Sequence, residues 1–256
     1  MDVLISAANH RSGSTLLQRI FNVRKKTLIW GEHNGVLTDF CKIQKKLSNF
    51  SSKYEKQRKY YFNENENPSN WIACMSPSNK FIKNAVHHSV KAFLDNLYEE
   101  HSKTHDIIGF KEVRYGPAEL KLFRECYPKT KIILLVRDPR DVWKSHSKNL
   151  RKEMYNNSID EFTQKWIDHV TYYIDFAKKD PETYFLKYED IIEKKPEAVN
   201  MLLDVADITI EELNSVLNVK ISGGIKKGTT DPNTLHHIGI KCWNVMEQLN
   251  YPLDKI

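Results

Sequence analysis

The stretch "SAANHRSGSTLLQRIF", Ser6 to Phe21, follows a short apolar run and decides how the rest of the chain is read. A strand that runs into a glycine-containing turn and then a helix aims several backbone N–H groups at one point, where the helix dipole favours an anion. Laid against the nucleotide triphosphatase loop G-x-x-x-x-G-K-[ST], the segment puts Ala8 at the first glycine, Gly13 at the second, Ser14 at the lysine and Thr15 at the hydroxyl. The lysine that reaches terminal phosphates is missing, while the anion site remains. Leu16, Leu17, Ile20 and Phe21 recur on one helical face and give the following helix its apolar side.

Outward from that loop, apolar runs bounded by turn residues alternate with stretches of helical period. This pattern predicts βα units and an α/β fold of three layers, with a mostly parallel central sheet flanked by helices. The strands expected are Asp2–Ala8, Asp106–Glu112, Lys131–Arg137 and Thr183–Tyr188. "KIILLV" is continuously apolar after its lysine, as a strand covered on both faces would be, and is expected in the middle of the sheet. Further helices are expected near residues 34–48, 80–101, 117–126, 139–153, 159–178, 196–206 and 234–249. The segment Asn49 to Asn70, poor in aliphatic residues and rich in Lys, Tyr and Asn, reads as a polar surface insertion, partly helical, within a single domain spanning 1–256. It serves either as a solvated segment or in acceptor recognition.

The chain has 256 residues, enough for one large domain with a substantial core. Its 39 Lys and Arg against 33 Asp and Glu give a net charge of +6, a mild basicity that suits an anionic ligand. Charges of both signs are interspersed, which argues against nucleic acid as a partner. Cys41, Cys74, Cys126 and Cys242 stand far apart, with neither metal-site nor C-x-x-C spacing, and read as free thiols of a reducing compartment. Strand-like sequence from Asp2 carries no signal-peptide pattern, and no run approaches the length of a membrane span, so a cytoplasmic protein is expected.

A second constellation lies in "KIILLVRDPRDVWKSHSKN", Lys131 to Asn149. Arg137 ends the strand, Asp138 suits an N-cap, Pro139 fits the first helical position and Asp141 complements the helix dipole. Arg137 and Ser145 can converge on a second anion through charge and hydroxyl. Alternatively Arg137 pairs with a carboxylate and Ser145 is incidental; the residues alone leave both readings open.

Taken together, the two constellations resemble the sulfotransferases that use 3′-phosphoadenosine 5′-phosphosulfate (PAPS). Arg11-Ser12-Gly13-Ser14-Thr15 is similar to that family's first motif, [KR]-S-G-[TS]-[TS], and Arg137 with Ser145 to its second, an arginine at a strand end with a serine eight positions later. The resemblance implies a P-loop-like sulfotransferase fold. It also implies a loop, Arg11 to Leu16, that holds the phosphosulfate without magnesium or any other metal, and a pair, Arg137 and Ser145, that holds the 3′-phosphate. "FLKYEDI" is similar to the family's Tyr-Glu-Asp segment, which makes Tyr188 a cofactor candidate; an aromatic covering the core is its alternative. "GGIKKGTTD" is a partial match to the basic loop that closes over the nucleotide, giving Lys226, Lys227 and Gly228.

For the chemistry, a hydroxyl must be brought in line with sulfur, lose its proton, and leave charge stabilised on the departing phosphate. Arg11 and Lys111 are the candidate cations, although an ordinary surface ion pair competes for Lys111. Gly31-Glu32 resembles the Gly-Glu that supplies the base in the protein-tyrosine and some bacterial and carbohydrate branches, whereas the histidine of the cytosolic small-molecule branch has no counterpart in "FKEVRYG". Glu32 is thus the candidate base, with an acid at a helix N-terminus as its alternative. His33 and His10 are fallback bases, and His33 and Arg114 are candidate acceptor contacts. The expected reaction moves a sulfuryl group from PAPS to a hydroxyl of a peptide tyrosine, carbohydrate or natural product. Two other classes stay open at this point: a P-loop kinase or nucleotide triphosphatase acting on a small molecule, and a non-catalytic nucleotide- or nucleic-acid-binding protein.

Overall fold

The computed structural model describes residues 1–219 and 231–252. Among them the elements run β1 (Val3–Ala7), α1 (Ser14–Asn22), β2 (Thr27–Trp30), α2 (Val36–Lys53), α3 (Glu55–Asn63), a short 3-10 turn at Pro68–Asn70, and α4 (Asn79–Leu97). There follow β3 (Ile107–Val113), α5 (Pro117–Cys126), β4 (Lys131–Val136), α6 (Pro139–Ser145), α7 (Lys148–Tyr155) and α8 (Ile159–Lys179). The chain continues with β5 (Thr183–Lys187), α9 (Tyr188–Ile192), α10 (Pro196–Ala206), α11 (Ile210–Leu217) and α12 (Pro232–Gln248). Two compact units result, one formed by residues 1–34, 100–116 and 129–256, the other by 35–99 and 117–128.

The first unit holds the whole sheet, in the order β2-β3-β1-β4-β5 with every neighbouring pair parallel. Strand residues alternate between two covered faces. Val3, Ile5 and Ala7 of β1 join Ile133 and Leu135 of β4 in a core with Leu17, Ile20 and Phe21 of α1 and Leu202, Val205 and Leu213 of α10 and α11. On the opposite face Ser6 bonds the hydroxyl of Tyr173 in α8 at 2.8 Å. Both faces being buried explains why the strands read as apolar runs. Gly109 is required where β3 meets β1, since a Cβ there would lie 2.3 Å from the carbonyl oxygen of Val3.

β1, not β4, is the central strand; β4 is interior but has only β5 beyond it. β2 was not expected from sequence. It is a four-residue edge strand, and its Ile29 is held by α1: Asn22 Oδ1 accepts from Ile29 N at 2.7 Å, while Gln18 Nε2 and Asn22 Nδ2 donate to Ile29 O at 2.8 and 3.0 Å. These polar side chains satisfy the backbone groups that an edge strand leaves open.

The helix expected over 139–153 is two helices. His146 takes an extended backbone (φ −78°, ψ 131°), and the Ser147 side chain then caps α7 by accepting from Leu150 N. A competing serine cap thus outweighs continuous helical propensity.

In the second unit, α2 and α4 pack along Ile82, Val86, Val90 and Leu94, with α5 supplying Leu120 and Phe123. The segment read as a partly helical insertion is helical through α2 to Lys53 and again over α3, where no residue is buried. Arg58 anchors it by donating to Ser51 Oγ and Ser76 O, both at 2.9 Å. Among the described residues no helix is long and apolar enough to cross a membrane.

Candidate active site

In an all-parallel sheet the strands' carboxyl ends and the loops after them form one edge, which is where ligands bind in such folds. Of the candidates lying among the described residues, Arg11 to Leu16 follow β1, Glu32 and His33 follow β2, and Lys111 and Arg114 flank the end of β3. Arg137 follows β4, Ser145 closes the helix after it, and Tyr188 follows β5. Lys226, Lys227 and Gly228 lie outside the described residues.

The first loop turns through two left-handed residues, Arg11 (φ 66°) and Gly13 (φ 93°). Its carbonyls are drawn away one after another. Asn9 O accepts from Ser12 Oγ at 2.8 Å, His10 O from His146 Nε2 at 3.0 Å, and Arg11 O from Arg137 Nη1 at 3.0 Å. With those oxygens engaged and no side chain capping α1 at Gly13, the loop offers N–H groups, the condition for anion binding at a helix start. Gly13 is needed twice over: for its φ, and because a Cβ would sit 2.2 Å from Tyr188 Cδ2. The Tyr188 ring therefore lies directly against the loop, and the Arg137 guanidinium stacks on it with 4.4 Å between the carbon and the ring centre.

The second corner forms as the sequence implies. Asp138 caps α6 by accepting from Arg140 N at 2.8 Å, and Arg140 returns to the same carboxylate through Nε and Nη2. Trp166 Nε1 donates to Arg137 O at 3.0 Å, fixing the backbone of the corner. Arg137 Nε is buried and, among the described residues, meets no acceptor. Ser145 Oγ donates to Val142 O at 2.8 Å, so it must rotate to donate to a ligand.

Glu32 and Lys111 are brought together. Lys111 Nζ donates to Glu32 Oε1, and Lys111 is buried while the Glu32 side chain is about one-third exposed. Lys111 is thus in an ion pair, but a buried one rather than one at the surface: β3 carries it on the α1 face of the sheet, in register with Ile5. The next residue pair lies on the other face, where Glu112 Oε2 accepts from both the backbone N and Nδ1 of His33, at 3.3 and 3.2 Å. His33 Nε2 meets the Tyr115 hydroxyl at 3.2 Å, so both ring nitrogens are engaged, and burial holds the imidazole below its usual pKa. Glu112 and Tyr115, both buried, have no sequence signature, because their partners come from another strand loop.

Arg114 is exposed and left-handed (φ 67°); its N donates to Ala7 O at 2.7 Å and its Nη1 points to Met154 Sδ at 3.5 Å. It stands close enough to His10 to lower that imidazole's pKa, second only to burial, while Glu32 acts in the opposite sense.

Against this geometry, the profile of the sulfotransferase family matches residues 8–212. The chain belongs to the sulfotransferase family. This membership sets aside the kinase and non-catalytic alternatives, and sulfotransferases of this family use PAPS and act on hydroxyl-bearing acceptors. No individually curated protein matches the sequence at a significant level. Among solved structures, the chain is similar to the sulfotransferase domain from the curacin biosynthetic pathway, with 17% identity, 98% of both chains covered and a TM-score of 0.56. It is also similar to the sulfotransferase domain of the Synechococcus PCC 7002 olefin synthase, with 14% identity, 98% and 95% coverage and a TM-score of 0.54. Sulfotransferase STF1 from Mycobacterium tuberculosis H37Rv follows with 10% identity, 95% and 76% coverage and a TM-score of 0.50. At these identities the likeness shows the P-loop-like fold.

Proposed function

We propose that this sulfotransferase binds PAPS across the two corners and transfers its sulfuryl group to an acceptor hydroxyl with Glu32 as general base. The residues fit that donor. A loop whose carbonyls are tied back supports one anion, and Arg137, whose buried Nε meets no acceptor among the described residues, supports another. When bound, PAPS supplies an activated sulfuryl group and leaves as the 3′,5′-bisphosphate. Arg11 and the N–H groups of Ser12 to Leu16 hold its 5′ end, Arg137 and Ser145 its 3′-phosphate, and Tyr188 lies against the loop to orient the nucleotide. Lys226, Lys227 and Gly228 complete this set by their resemblance to the family's closing loop.

The observation that carries the mechanism is the Glu32–Lys111 pair beside an anion loop. Oε1 of Glu32 is engaged by Lys111, which leaves Oε2 to take the acceptor's proton. Lys111 is the cation closest to the base, and it provides positive charge for the leaving side. His33, with both nitrogens engaged, positions the turn that carries Glu32. Arg114 faces an acceptor, a peptide, carbohydrate or natural product, and favours one with an acidic group. We read the whole chain as one catalytic domain, and place it in the cytoplasm, in keeping with four free cysteines.

Calorimetry with 3′-phosphoadenosine 5′-phosphate (PAP) against ADP, in the presence of a chelator, tests the donor. Binding of PAP alone is expected, and Arg137→Ala is expected to weaken it by about 10- to 100-fold, the range for a charge-assisted contact. Equal affinity for ADP would refute the assignment of the second corner.

A further inference from the structure

The geometry points to His146 as a positioning residue that fixes the spacing between the two anion corners, and with it the preference for a nucleotide carrying phosphate at both ends. This rests on the donor reading above. His146 directly follows Ser145 and is 2% exposed. Its ring stacks on Tyr155, with centres 5.7 Å apart and planes at 16°, and meets Phe162 edge-on. Nε2 lies 3.0 Å from His10 O. A carbonyl only accepts, so Nε2 carries the proton, and the ring is the neutral Nε2–H tautomer.

Packing alone does not account for an imidazole here. Nδ1 is buried and, among the described residues, has no hydrogen-bond partner. Phenylalanine would fill the same aromatic cluster without burying such a nitrogen, whose desolvation is left uncompensated. What the imidazole adds is a tie from the end of α6 to the first loop. Arg137 makes the companion tie from the start of that corner to the next carbonyl, Arg11 O. The corner is itself braced, since Arg151 lies over the Trp143 ring at 4.5 Å and donates to Trp143 O at 2.7 Å. His146 therefore joins two preformed pieces. A ligand that grips both gains from their fixed separation, whereas a ligand that grips one does not.

The test is calorimetry of the wild-type chain, His146→Phe and His146→Gln with PAP and with 5′-AMP. The Phe variant keeps the aromatic packing and deletes the donor, and is expected to lose about 10-fold in PAP affinity while 5′-AMP stays within about 2-fold. Gln, whose Nε2 can reach the same carbonyl, is expected to restore most of the loss. Unchanged PAP affinity in the Phe variant, or an equal loss for both nucleotides, overturns the spacing role. A wild-type chain that does not bind PAP overturns the donor reading, and this inference with it. Nitrogen-15 correlation spectra of the wild-type imidazole at pH 7 give a readout that needs no variant to fold: Nε2–H is expected, and Nδ1–H overturns the proposal.

Discussion

Glu32 shows what a single residue contributes. Glu32→Gln keeps the shape of the turn and removes the proposed proton acceptor, so turnover is expected to fall by about 10²- to 10⁴-fold while PAP affinity holds, as measured by sulfuryl transfer beside calorimetry. Retained turnover would move the base elsewhere, and His10 is the next group to test. Gly13→Ala combines two penalties, a left-handed φ and a Cβ 2.2 Å from the Tyr188 ring. Tyr188→Ala relieves the second but also removes the ring proposed to orient the nucleotide, so stability is the cleaner readout. The single Gly13 variant is expected to lower the urea midpoint, and adding Tyr188→Ala is expected not to restore it, because the φ strain of about 1–2 kcal/mol persists. Glu32, Lys111, Arg137 and Tyr188 were legible as candidates because each ends a strand or sits in a motif. Glu112, Tyr115 and His146 were not, since each acts through a partner from a different part of the chain, and a lone polar residue in an apolar stretch carries no signal of what it will meet.

Among the elements, β2 matters most for the proposed chemistry, because it delivers Glu32. It is short, follows the basic run Arg24-Lys25-Lys26 and lies at the sheet edge, which is why its periodicity was too brief to register. Its security comes from α1. Asn22→Leu would leave both backbone groups of Ile29 without the Asn22 bonds, and is expected to cost about 1–3 kcal/mol in urea unfolding, with faster hydrogen exchange at Ile29 than at Ile133 in the interior. Undiminished stability would mean that water replaces the side chain at no cost. The longer helices were legible to within a few residues, and α5 and α10 fall where their apolar periodicity put them. The break between α6 and α7 was not, because it depends on Ser147 finding Leu150 N after the chain has already turned at His146.

At the scale of the whole molecule, buried and half-buried histidines tie stability to pH. Burial holds His146 down at about 4, and His10 and His33 also lie below their ordinary value of 6.5. Around His146 the charged neighbours Arg151 and Arg11 act in the same direction, as does His10, while its bond to the His10 carbonyl opposes them. Between about pH 6.5 and 4 the unfolded chain binds protons that the folded chain refuses, so stability falls as pH drops through that window. Glu189, raised by burial, works in the opposite sense as pH climbs above 4.5, but it is one group against three. The urea midpoint is expected to be lower at pH 5 than at pH 7.5; a higher midpoint at pH 5 would contradict it. By itself the sequence determined that alternating apolar runs form a parallel sheet, that Gly13 and Pro139 open helices at two corners, and that the first corner lacks a triphosphatase lysine. These are local matters of dihedral preference, capping and periodicity. Only the tertiary structure decided the strand order, the meeting of Glu32 with Lys111, and the engagement of the His10 and Arg11 carbonyls by His146 and Arg137. Such contacts join residues far apart in the chain, and their free energy exists only once the sheet has brought its carboxyl ends to one edge.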